Sequence, residues 1–79
     1  MNDILNRLNA VFCQVFRRPG LQITPASDAS SINGWDSLTH IELIAAIELS
    51  FSISFSFNEV MGFNNVGDIV NCIDAHLKK

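Results

Sequence analysis

The feature that most constrains this fold is an apolar stripe at helical spacing, found near both ends of the sequence. Toward the N-terminus it comprises Ile4, Leu5, Leu8, Val11, Phe12, Val15 and Phe16. Steps of three and four place these side chains on one face of an α-helix, and predict a helix over 3–16. Asn2 or Asp3 is expected to cap its start. Arg17 and Arg18 suit its negative end, and Pro19-Gly20 stops it. The second stripe, Val66, Ile69, Val70, Ile73 and Leu77, predicts a last helix. Asn64 or Asn65 is expected to cap it, with Asp68 in its first turn and Lys78 and Lys79 at its end.

Between these helices, residues 19–36 (PGLQITPASDASSINGWD) are rich in turn formers, but Leu21, Ile23, Ile32 and Trp35 offer apolar anchors. This reads as a long ordered loop, and loops of that length in small domains are often functional. A second helix is expected from Ser37 to about Ser50, with Asp36 as its N-cap. It carries two stripes. Leu43, Ile44, Ile47 and Phe51 suit a core face, whereas Leu38, Ile41 and Ala45 lie a quarter-turn or more away, bordered by Glu42 and Glu48. The next segment, Phe51–Phe57 (FSISFSF), alternates with the period of a β-strand. A lone strand has no partner for its backbone groups. The expectation is therefore a helix end at Phe51 and an extended loop that plants Ile53 and Phe55 in the core. Phe57–Gly62 then forms one short helical turn. The sum is an all-α domain over 1–79, with three longer helices, one short helix and a long loop between the first and second.

Composition narrows the function. Apolar residues are 48% of the 79, which is globular, and the net charge is −3 with no basic run. Nucleic-acid binding needs more basic side chains than this. No apolar run is long enough to span a bilayer, and the N-terminus lacks the basic start and apolar stretch of a signal peptide, so the expected location is the cytoplasm. Cys13 and Cys72 are too few and too far apart for a disulfide framework or a metal site, and His40 and His76 stand 36 positions apart with no cysteine directly beside either. No metal is expected.

The chemistry concentrates in Gly34–Leu43 (GWDSLTHIEL). Asp36, Ser37 and His40 invite a nucleophile–base reading, but a hydrolase also needs an oxyanion hole and a cleft, for which so small a bundle has little room. His40 reads as an exposed helix residue, and Trp35 as a loop anchor. The first amides of a helix lack internal partners and its dipole is positive there, so a phosphate attached to Ser37 would sit in a favourable field. Leu38 and Ile41, rimmed by Glu42 and Glu48, look like a docking surface. The competing readings are a plain helix cap for the Asp36-Ser37 pair and, for the second stripe, a central helix buried on two sides.

Gly34-Trp35-Asp36-Ser37-Leu38, continuing into Ile41-Glu42-Leu43-Ile44-Ala45-Ala46-Ile47-Glu48, resembles the carrier-protein family: stand-alone acyl carrier proteins of fatty acid and polyketide synthesis, with their peptidyl and aminoacyl relatives. The resemblance extends over essentially the whole chain and implies a four-helix bundle. It implies that Ser37 accepts a 4′-phosphopantetheine arm from coenzyme A, added by a magnesium-dependent phosphopantetheinyl transferase. The thiol of that arm would hold an acyl cargo as a thioester. An acyl-loading ligase or transferase would supply the cargo, and synthase or acyltransferase enzymes would use it, the carrier being a non-catalytic monomer. Partner docking carries over to Asp36, Leu38, Ile41, Glu42, Ala45 and Glu48, with Val60 and Met61. Ile47, Phe63 and Ile69 would line the interior where some carriers shelter an acyl chain.

The sequence departs from the dissociated fatty-acid carriers in ways that bear on pathway. Thr39 and His40 occupy the first turn of the second helix, Leu49-Ser50-Phe51-Ser52 lacks acidic residues, and Trp35 stands where a smaller residue is usual. Weak acidity weakens docking to basic enzyme surfaces. A dedicated carrier in a specialised lipid, polyketide or surface-glycan pathway is expected. The alternatives are an aminoacyl or peptidyl carrier, and an interaction module of the same fold that is never modified.

Overall fold

The computed structural model describes residues 2–78. Among them are four helices: α1 (Asn2–Phe16), α2 (Ser37–Phe51), α3 (Phe57–Met61) and α4 (Val66–Leu77). The long helices form where apolar side chains recur at three and four, and α1 packs chiefly against α2 and also against α4. Leu8, Phe12, Leu43, Ile47, Val66, Ile69 and Ile73 are fully buried between them. No described residue with a polar or charged side chain is buried, so the core holds by apolar burial and packing.

The helix ends correct several expectations. Asn2 and Asp3 are already helical, so neither caps α1; the position before them lies outside the described residues. Arg17 does not sit in the last turn. It adopts φ 57° and lets the Arg18 amide close on the Cys13 carbonyl at 3.0 Å, a left-handed stop. The Arg18 guanidinium instead reaches the Asn33 carbonyl at 2.7 Å. Ser52 ends α2 in the same left-handed conformation, φ 55°. Asn65, not Asn64, caps α4, its Oδ1 accepting the Asp68 amide at 2.9 Å. Leu77 is 45% exposed and leaves the apolar stripe at the last turn. Lys78 pairs with Asp74 at 2.9 Å, and Lys79 lies outside the described residues.

The two irregular segments are held by side chains. Asn9 on α1 clamps the long loop: its Oδ1 accepts the Ile23 amide at 2.7 Å and its Nδ2 donates to the Leu21 carbonyl at 3.1 Å. Ile23, Ile32 and Trp35 are buried as expected. The Val66 and Gly67 amides, at the start of α4, donate to the Ser27 and Pro25 carbonyls, docking the loop there. After α2 the chain is extended, without strand pairing among the described residues. Ile53 and Phe55 pack against the core but stay half-buried. Ser56 then caps α3 in a reciprocal box with Glu59. The Ser56 amide, aided by Cys72 and His76, holds the Glu59 carboxyl down to about 2.

Candidate functional site

Ser37 is the first helical residue of α2, and the loop before it is built to stop there. Gly34 takes φ +90°, a conformation that L side chains rarely adopt. Asp36 follows in extended conformation, and its Oδ1 accepts the Leu38 and Thr39 amides at 3.1 and 3.0 Å. Thr39 completes the box: its hydroxyl accepts the Asp36 amide at 2.8 Å and donates to the Gly34 carbonyl at 2.6 Å. The Thr39 amide first, and next the Thr39 hydroxyl, which also lies 3.1 Å from Asp36 Oδ1, hold the Asp36 carboxyl below the usual range. Ser37 itself is exposed, and its hydroxyl hydrogen-bonds to no described residue.

Beside Ser37 lies an open groove of about 740 Å³ between α2 and α3. Ile41, Ile44, Phe55, Val60 and Phe63 form much of its apolar wall, with Phe57 and Met61 along α3. Of the residues expected to line an interior, only Phe63 faces this groove. Ile47 and Ile69 are wholly enclosed in the packed core and do not line it. They lie on the core stripes of α2 and α4, the two helices that pack against α1.

The expected docking residues divide. Leu38 and Ile41 are 68% and 65% exposed, and Met61 is 68% exposed. Glu42 and Ala45 are exposed beside them, and Val60 is half-buried. The second stripe of α2 is thus unpartnered, and the reading of a helix buried on two sides falls. Asp36 is both cap and groove edge. Glu48 is not a free rim charge: its Oε2 accepts the Phe55 amide at 2.8 Å and pins the extended segment across the groove.

Trp35 and His40 do more than the sequence reading gave them. The Trp35 indole is buried and donates from Nε1 to His40 Nδ1 at 3.0 Å. His40 Nε2 faces the Val60 carbonyl at 3.4 Å, so His40 is a half-buried tie from the loop to α3. Both ring nitrogens are therefore turned to groups other than Ser37, and the nucleophile–base pair is not assembled. The spacing of five between an indole and an imidazole was the available signal. Phe57, 77% exposed at the start of α3, is a further groove residue that periodicity did not single out.

Comparison with known proteins agrees with this geometry. The family model described as "Phosphopantetheine attachment site" matches residues 6–73. A holo acyl carrier protein from Geobacter metallireducens, solved by NMR in solution, superposes with a TM-score of 0.88 at 35% identity, over 94% of this chain and 85% of that one. No match among curated proteins was found. With a loop-to-helix serine beside an apolar groove, the all-α fold and a family match over most of its length, the chain belongs to the acyl carrier protein family, whose covalent cofactor is 4′-phosphopantetheine.

Proposed function

We propose that Ser37 is the attachment residue, and that the protein is a dedicated acyl carrier of a specialised lipid, polyketide or surface-glycan pathway. The observation that carries the attachment is the exposed, unengaged Ser37 hydroxyl at the first turn of α2, beside the groove. The residues there fit the arm. The positive end of α2 favours its phosphate, while Asp36, already satisfied by two amides, keeps the helix start in place. When bound, the arm supplies a terminal thiol that holds an acyl group as a thioester. During attachment Ser37 Oγ bonds to the pantetheine-bearing phosphorus of coenzyme A, the phosphoanhydride breaks to release adenosine 3′,5′-bisphosphate, and Ser37 Oγ loses its proton. Since His40 is tied to Trp35, that proton goes to a base on the transferase. Leu38, Ile41 and Met61 offer an apolar contact surface to partner enzymes, and Ile44, Phe55 and Phe63 offer the acyl chain a place beside the arm.

A specialised pathway is supported by the character of α2. Its exposed face is apolar, with Glu42 alone as an exposed carboxylate, because Glu48 is engaged by the Phe55 amide. Partners selected by such a face recognise shape and apolar area more than charge. The attachment is tested by incubating the protein with coenzyme A, magnesium and a broad-specificity transferase. The intact mass should rise by one phosphopantetheine, and Ser37→Ala should remain unmodified. Folded wild-type protein that gains no mass would sink the reading.

A further inference from the structure

Away from the groove mouth, three side chains with metal-ligating atoms converge. Cys72 and His76 stand one turn apart on α4, at the i,i+4 spacing that puts both on one face. Glu59 reaches them from α3. Its Oε2 lies 3.1 Å from Cys72 Sγ and 3.0 Å from His76 Nε2, and the three ligand atoms lie within 4.8 Å of one another. The sequence reading set His76 aside for want of an adjacent cysteine, whereas Cys72, four positions earlier, becomes its neighbour once the segment is helical. Only the approach of α3 to α4 adds the carboxylate.

We propose that Glu59, Cys72 and His76 form a zinc site that ties α3 to α4. The donor set is a thiolate, an imidazole and a carboxylate, the combination that a borderline-soft divalent ion takes in preference to magnesium or calcium. Zinc bonds of about 2.0–2.3 Å place tetrahedral ligands roughly 3.5 Å apart. The two separations from Glu59 Oε2 need to open by only a few tenths of an ångström, and Cys72 Sγ and His76 Nε2 already lie within 4.8 Å of each other. Charge also balances: on binding, the Cys72 thiol gives its proton to solvent, and thiolate plus carboxylate neutralise the ion. The site is supported from outside, as metal sites commonly are. The Ser56 amide holds the other Glu59 oxygen, Oε1, at 2.7 Å, and the Phe55 ring packs against the His76 ring at 5.5 Å. His76 and Glu59 side chains are 16% and 35% exposed, which leaves an entry path and room for a solvent ligand in the fourth position.

The consequence concerns the groove. None of the α3 residues is buried, so this helix is held to the bundle by little more than half-buried Val60, the His40 contact and the Glu59 cluster. Zinc bound to Glu59 would immobilise the helix that forms one wall of the groove, through a site independent of where the arm is attached.

The test uses the full chain as Ser37→Ala, so that no arm thiol competes, alongside holo protein made from S-methyl coenzyme A, whose arm thiol is blocked before attachment and so leaves Cys72 unalkylated. Both are kept reduced by a phosphine, free of chelators, and titrated with Co²⁺ and then Zn²⁺. One equivalent of Co²⁺ should produce a thiolate-to-cobalt charge-transfer band that zinc abolishes. The band should persist in Cys13→Ser and vanish in Cys72→Ser. Glu59→Gln, which retains the helix cap, should weaken zinc binding at least tenfold. Amide exchange at Val60 and Gly62 should slow about tenfold at zinc ten times its dissociation constant. Absence of the band in folded protein, its survival in Cys72→Ser, or zinc binding that leaves α3 exchange unchanged would each overturn the proposal of a zinc site that ties α3 to α4.

Discussion

At the scale of single residues, the start of α2 depends on a few groups in specialised roles. Gly34 holds φ +90° three residues before Ser37. Gly34→Ala should cost about 1–2 kcal/mol in urea unfolding, because a Cβ opposes that backbone conformation. Asp36 gives a pH dependence of known sign. Its folded carboxyl titrates below the unfolded value, because the Thr39 amide and hydroxyl bind the charged form. The stability it contributes is present above the unfolded value, near 4, and lost as pH falls through the folded one. The thermal midpoint should fall on acidification below about pH 4, and by less in Asp36→Asn. Asp28, held low by Ser30 and Ser31, keeps part of the dependence in that variant. An unchanged pH profile in Asp36→Asn would remove this account. The Asp36 cap was legible, since an aspartate before an apolar run has one obvious use. The Trp35–His40 bond was not, because a propensity scale does not say that an indole N–H and an imidazole five residues on will meet.

At the scale of elements, the ends of the helices hold more tension than their middles. Arg17 and Ser52 both occupy left-handed conformations that cost a non-glycine residue of order 1 kcal/mol or more. Ser52→Gly should raise stability by a few tenths to about 1 kcal/mol, the relief being partly offset by the greater freedom of glycine in the unfolded chain. A lower urea midpoint would show that the serine has a compensating role there. The exposed stripe of α2 calls for a different measurement. Leu38→Ala and Ile41→Ala should leave the thermal midpoint nearly unchanged, since both side chains are mostly exposed. They should slow transferase modification more than Glu42→Gln does. The reverse order would point to charge-led docking. The Phe51–Phe57 alternation shows how far pattern reading reaches. It correctly excluded a strand, since the described residues hold no partner strand. It did not show that Ile53 and Phe55 stop half-buried, or that the Glu48 carboxylate accepts the Phe55 amide beside the groove.

At the scale of the whole molecule, a row of ring contacts links the core to the groove wall. Phe12 meets Trp35 at 5.3 Å, Trp35 stacks on His40 at 6.1 Å, and His40 meets Phe63 at 6.5 Å. Phe63 then meets Phe55 at 5.3 Å, and Phe55 meets His76 at 5.5 Å. The bundle and the groove are therefore not separable parts. Phe12→Ala removes a fully buried ring at the inner end of the row and should cost about 3–5 kcal/mol. In a domain this small that is most of the total stability. Loss of the cooperative thermal transition is the expected result, and a variant that still unfolds near the wild-type midpoint would contradict it.

What the sequence by itself determined is whatever local physics settles: the helical periods, the Asp36 cap, the loop that delivers Ser37 to a helix start, and the motif that marks a carrier. Those features depend on residues within a turn or two of one another. Only the tertiary structure decided which apolar residues close into the core and which border the groove. It set Ile47 and Ile69 inside and left Leu38 and Ile41 outside, turned Glu48 and His40 from surface groups into ties, and brought Glu59 to Cys72 and His76. Each of these depends on how two helices or a helix and a loop approach, and spacing along one chain does not contain that distance.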